Sequence, residues 1–170
     1  MASATNSDGE LSQHCLKMSL LGMAMAVEMG FDAENTRIVG LCGLLHDWGM
    51  KRVPTDVREA RRRLSADEFL VIKKHPIQTL ELLQGIDGMA RLVPLVCYQV
   101  HECPNGTGYP RGRKSASIHP LAHMLRVADA YVGMTLPRPH RQPLRQAHRE
   151  RTFCPDAVDV CRGHRTPEDG

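Results

Sequence analysis

RIVGLCGLLHDWGMKRVP, residues 37–54, decides how the rest of the chain is read. From Ile38 to Leu45 every residue is apolar or glycine. That run is well short of the ~20 residues a membrane span needs, and it suits a helix buried in a protein core. It ends on His46-Asp47, two side chains of metal-ligating type delivered at a buried helix end, after which Gly49 and Pro54 break the helix. A buried carboxylate is costly unless a cation or hydrogen bonds satisfy it. Taken alone, the doublet fits a capping or surface-pairing role as well as a metal site.

Towards the N-terminus, Asp32 is placed to cap this helix, predicted over residues 33–46. Ahead of it, Leu16, Leu20, Leu21, Met23, Ala24 and Val27 recur at helical spacing. They predict a first helix running from Glu10 to a stop at Gly30, with those residues on its apolar face. Residues 1–9 read as a disordered polar leader. Glu10 lies one turn before His14, so both point at the same spot.

Towards the C-terminus, a short basic helix is expected around residues 56–63. Ser65 with Glu68 forms a capping box for a helix to about Lys74, and Pro76 suits the first turn of the next, to Leu83. After a turn at 85–88, a helix from Met89 carries Leu92, Val93, Val96, Cys97 and Val100 on one face and delivers His101 and Glu102 at its end. Residues 103–117 read as one long ordered loop, and a final helix over 120–135 buries Leu121, Met124, Leu125, Ala128 and Val132 while carrying Asp129. No alternating strand pattern and no repeat appears. The expected fold is all-α: a compact bundle of about six to seven helices with a long loop, one domain over 10–141, and a basic, poorly ordered or truncated tail over 142–170.

Composition agrees with a single soluble domain, since 42% of the 170 residues are hydrophobic. The net charge of +3 is concentrated in Pro137–Arg165, where seven arginines face Glu150, Asp156 and Asp159. Such a segment attracts phosphate-bearing partners or is simply solvated. The six cysteines, Cys15, Cys42, Cys97, Cys103, Cys154 and Cys161, show no CxxC spacing, and three of them sit in apolar runs as small hydrophobes would, which favours the cytoplasm. With no signal peptide or membrane span read at the N-terminus, the expected location is the cytoplasm.

Set in order, His14, LLHDWG at 44–49, VP at 53–54, HP at 75–76, HE at 101–102, NGTGYP at 105–110, VADAY at 127–131 and RPHR at 138–141 resemble the HD-GYP domain. That family opens the bacterial second messenger cyclic di-GMP. The resemblance implies two divalent metal ions, iron or manganese, held by His14, His46, Asp47, His75, His101 and Asp129, with Asp47 bridging and Glu10 in a third-metal position. His46 and Asp47 would be the catalytic core. Gly108, Tyr109 and Pro110 would shape the substrate mouth, and Arg138, Arg141 and Lys51 would grip the substrate. The expected partner is a cyclic dinucleotide, with signalling proteins or a second copy as protein partners, and neither polymeric nucleic acid nor membrane.

The chain departs from the family pattern in three places. The usual His-His-Glu is Val100-His101-Glu102, which removes one metal ligand unless water or Glu102 fills the gap. The lysine after HDxG is Met50, and Lys51 would point about 100° away on a helical turn. The helix that follows the RPYR-like segment in the family is replaced by residues rich in Arg, His and Gln before FCPDAV. Three functions therefore stay open: an active cyclic di-GMP phosphodiesterase, a catalytically weak module that senses a nucleotide or a partner, and a phosphohydrolase acting on another nucleotide.

Overall fold

Asp32 caps α2 (Ala33–Leu45) as its chemistry dictates, its side chain accepting from the Asn35 N–H at 2.7 Å. The computed structural model of the chain describes residues 7–60 and 62–135, and every regular element among them is helical. α1 (Ser7–Glu28) precedes α2 and packs along it, with Ser19 Oγ donating to the Gly40 carbonyl at 2.8 Å. A 3-10 turn over Trp48–Arg52 follows, then α3 (Thr55–Arg58), α4 (Ala66–Lys73), α5 (His75–Gln84), α6 (Leu92–Gln99) and α7 (Pro120–Thr135). α1 also packs on α7, α2 on α6, and α5 on both the 3-10 turn and α6. One apolar cluster joins these elements, built on Met18, Val39, Leu83, Val96, Val100, Met124 and Leu125.

The all-α expectation holds, with seven α-helices among the described residues, one of them a single turn. Several boundaries differ. α1 begins at Ser7, where Asp8 and Glu10 in the first turn complement the positive helix end, so residues 7–9 are helical and residues 1–6 lie outside the description. α3 stops at Arg58 because the chain leaves helical geometry at Glu59. α6 starts at Leu92 rather than Met89, since Pro94, lacking an N–H, belongs in a first turn.

The inward face of α1 also differs from expectation. His14, Cys15, Met18, Ser19 and Ala26 are buried, whereas Leu16, Leu20 and Val27 are more than half exposed. On α2, Leu41 and Leu44 are likewise exposed although the whole run was expected to be buried. Both helices are apolar around most of their circumference, so periodicity does not choose the inner face. Close packing of small residues between α1 and α2 does.

Candidate metal centre

His46 closes α2, and its Nδ1 lies 2.9 Å from the Gly43 carbonyl. A ring nitrogen facing a carbonyl carries the proton, so Nε2 presents its lone pair inward. His75 repeats the arrangement at the start of α5, with Nδ1 2.8 Å from the Ile72 carbonyl. Both Nε2 atoms are buried without a hydrogen-bond partner. Orphaned imidazole lone pairs in a protein interior are what a cation would satisfy.

They converge on Asp47, whose Oδ1 lies 3.1 Å from His75 Nε2, 3.4 Å from His46 Nε2 and 3.3 Å from His101 Nε2. His101, just past α6, turns its Nδ1 to Asp129 Oδ2 at 3.5 Å. His14 of α1 reaches Asp129 Oδ1 at 3.3 Å and Asp47 Oδ2 at 3.9 Å. Six side chains from one end or face of α1, α2, α5, α6 and α7 thus form a single cluster. Two triads of it, His14–His46–Asp129 and His46–Asp47–His101, have ligand atoms close enough to share a cation, and His46 belongs to both. The mixed imidazole and carboxylate donor set fits a divalent metal.

Electrostatics in the cation-free chain follow from this crowding. Burial alone would raise the carboxyl of Asp47, but His46, His101 and His75 hold it well below its usual range; for Asp129, also opposed by burial, His101 and His14 do the same. Burial lowers the pKa of His46. Burial works against the charged form of His101 as well, yet Asp129 and Asp47 at its two nitrogens raise it to about 9. The thiol of Cys15 is pushed up to about 12 by burial and then by the two carboxylates, so it stays protonated beside the cluster.

The backbone around HDxG explains its glycine. Gly49 N–H donates to Thr79 Oγ1 at 2.8 Å, and that hydroxyl donates to the His46 carbonyl at 3.0 Å. A Cβ on Gly49 would collide with the His75 carbonyl and Thr79. Only glycine lets the 3-10 turn that follows Asp47 seat on the first turn of α5, which bears His75.

Glu102 anchors the long loop. Its two carboxylate oxygens accept from the N–H groups of Arg111 at 2.7 Å and Arg113 at 2.8 Å. It therefore does not fill the ligand gap left by Val100, whose side chain belongs to the apolar cluster. Gly108 lies so close to the Glu102 and Cys103 backbone that no side chain fits there. Tyr109 donates its N–H to the His101 carbonyl at 3.1 Å, and its ring stacks on that of His101, centroids 5.1 Å apart and 11° from parallel. Tyr109 and the cis-bonded Pro110 thus stand at the edge of the cluster.

Not every residue expected at the site joins it. Glu10 is exposed, and none of the cluster's ion pairs among the described residues includes it. Lys51 is exposed on the 3-10 turn, and Arg138 and Arg141 lie outside the described residues. Conversely, Arg126 is buried with Nη1 3.6 Å from Asp129 Oδ2. Its position three residues before Asp129 on a predicted helix is the signal that could have found it.

Comparisons with known proteins agree with this geometry. The sequence model of the HD domain family matches residues 4–150. The chain is 33% identical over 136 residues to a cyclic di-GMP phosphodiesterase of Pseudomonas aeruginosa, a match covering 80% of this chain and 33% of that protein. It is 31% identical over 132 residues to a 3'3'-cGAMP-specific phosphodiesterase of Vibrio cholerae, covering 76% of this chain and 30% of that one. The chain thus spans about a third of the length of these relatives. The solved structure of a HDG"Y"P protein from Bdellovibrio bacteriovorus superposes with a TM-score of 0.69 at 26% identity, covering 92% of this chain and 53% of that one. Motif order, cluster geometry and these likenesses agree: the chain belongs to the HD domain family, among its HD-GYP members.

Proposed function

We propose that the chain is a metal-dependent phosphodiesterase domain that hydrolyses cyclic di-GMP to the linear dinucleotide or to GMP. The observation that carries this reading is the convergence of His14, His46, Asp47, His75, His101 and Asp129 on one buried centre beneath the Tyr109 ring. These residues would hold two divalent ions, iron or manganese. When bound, such ions supply an activated water at neutral pH and offset the charge that builds on a phosphoryl group.

The chain's own part is preorganisation. The Gly43 and Ile72 carbonyls fix the tautomers of His46 and His75. The Gly49–Thr79–His46 hydrogen bonds lock the turn bearing Asp47, and Glu102 fastens the loop that carries Gly108, Tyr109 and Pro110 to the substrate mouth. Arg138, Arg141 and Lys51 remain proposed substrate contacts by resemblance alone. The unit is proposed to span residues 10–141 and to work in the cytoplasm.

Conversion of cyclic di-GMP, followed by chromatography, tests this. Wild type should release the linear dinucleotide, and Asp47→Ala should lose turnover by at least about a hundredfold. The burial of Val100 in the apolar core favours a second reading, a weak or silent nucleotide sensor. Binding of cyclic di-GMP without turnover in metal-saturated wild type would select it.

A further inference from the structure

Lys73 ends α4, two residues before His75. Its Nζ lies 4.9 Å from the centre of the Phe69 ring and 5.8 Å from that of Tyr109. Tyr109 in turn stacks on His101, so the ammonium stands one aromatic ring away from the cluster. The junction holds it there: Lys74 N–H donates to the Val71 carbonyl, and the His75 ring is bonded to that of Ile72. Among the described residues, Lys73 forms no ion pair with a carboxylate. A half-buried cation held by two ring faces and lacking an acidic partner is suited to an anionic ligand.

A cyclic dinucleotide carries two phosphodiester groups, and the cluster can take only the one being cut. The other keeps its negative charge and needs its own counter-charge at the mouth, where part of its water shell is lost. We propose that Lys73 binds this second, uncut phosphodiester, with Phe69 and Tyr109 holding the ammonium in place, and thereby selects two-phosphate substrates over single phosphodiesters. The inference rests on the proposed function, and it makes Lys73 a specificity-determining residue rather than a catalytic one.

The test compares wild type, Lys73→Ala and Lys73→Arg, each metal-saturated, on cyclic di-GMP and on bis(p-nitrophenyl) phosphate, which has one phosphodiester. Lys73→Ala should raise KM for cyclic di-GMP by about tenfold or more while kcat stays close to wild type, the size expected for losing a charge-assisted hydrogen bond. Hydrolysis of bis(p-nitrophenyl) phosphate should be unaffected, and Lys73→Arg should stay near wild type. An unchanged KM, or an equal loss on both substrates as a merely structural role would give, overturns the assignment. If wild type binds without turnover, Kd takes the place of KM in the same comparison. A wild type that cleaves the small diester but neither binds nor opens cyclic di-GMP overturns the proposed substrate, and this inference with it.

Discussion

His101 is where the two carboxylates meet, one at each ring nitrogen. Its pKa of about 9 in the cation-free protein, against 6.5 in the unfolded chain, gives a signed prediction. A raised pKa contributes stability that is fully present below the unfolded value and lost as pH rises through the folded one. Asp47 and Asp129 run the other way: their depressed values contribute above about 3.8, and that contribution is lost on acidification. Metal-free protein should therefore lose on the order of 2 kcal/mol between neutral pH and pH 9. Bound cations require neutral imidazole, so the metal-loaded protein should not show this loss. Thermal midpoints across that range, with chelator and with manganese, check it; parallel curves would count against the cluster's electrostatics.

Val100 poses the opposite problem, an apolar side chain where a ligand is expected. Because it is fully buried in the apolar cluster, Val100→His adds volume and polar atoms to a packed site and should cost ~1–3 kcal/mol. If the missing ligand limits the second site, turnover should nevertheless rise. Urea titration and turnover together read both effects, and a stability loss without a gain in activity would refute this account of the second site. At this scale the six cluster residues were legible because each ends or interrupts an apolar helix. Lys73 and the anchoring role of Glu102 were not, since each depends on which elements lie opposite, and spacing does not record that; Arg126 was marked only by its place three residues before Asp129.

Elements with their own local chemistry were the easiest to read. The Ser65–Glu68 capping box forms as expected, and Glu68, paired with Arg62 and the Ser65 N–H, has its pKa lowered to about 2. α7 has its expected bounds and buries the expected Leu121, Met124, Leu125, Ala128 and Val132, but Ala122, His123, Arg126 and Ala130 are buried too, so more of its circumference is covered than the stripe implied. α1 lacks a one-sided stripe, so its inner face came from packing with α2. The long loop owes its shape to Glu102, a residue with no periodic signal. Glu102→Ala would leave the Arg111 and Arg113 N–H groups without their acceptor, a loss of ~2–5 kcal/mol by analogy with other buried charged acceptors. It should also free Tyr109 from His101, lowering turnover more than metal content. Chemical denaturation and metal analysis of the purified variant separate the two effects, and an unaltered stability would show that the loop does not depend on this anchor.

At the scale of the molecule, one large apolar cluster among the described residues joins α1, α2, α5, α6 and α7 and leaves its polar end to the six ligand-type residues. Among the described residues, no helix is long and apolar enough to cross a membrane. Fold and cluster answer to the same sequence feature, apolar helices that end on, open with or carry His or Asp, which is why both could be read together. Whether this cluster holds metal is decided by elemental analysis of protein purified without chelator, beside Asp47→Ala. Wild type should carry two divalent ions per chain when iron or manganese is supplied, the more weakly held one leaving first on dialysis, and both sites should be emptied or weakened in the variant. Folded wild type with no stoichiometric metal under those conditions would contradict the assignment of a metal site.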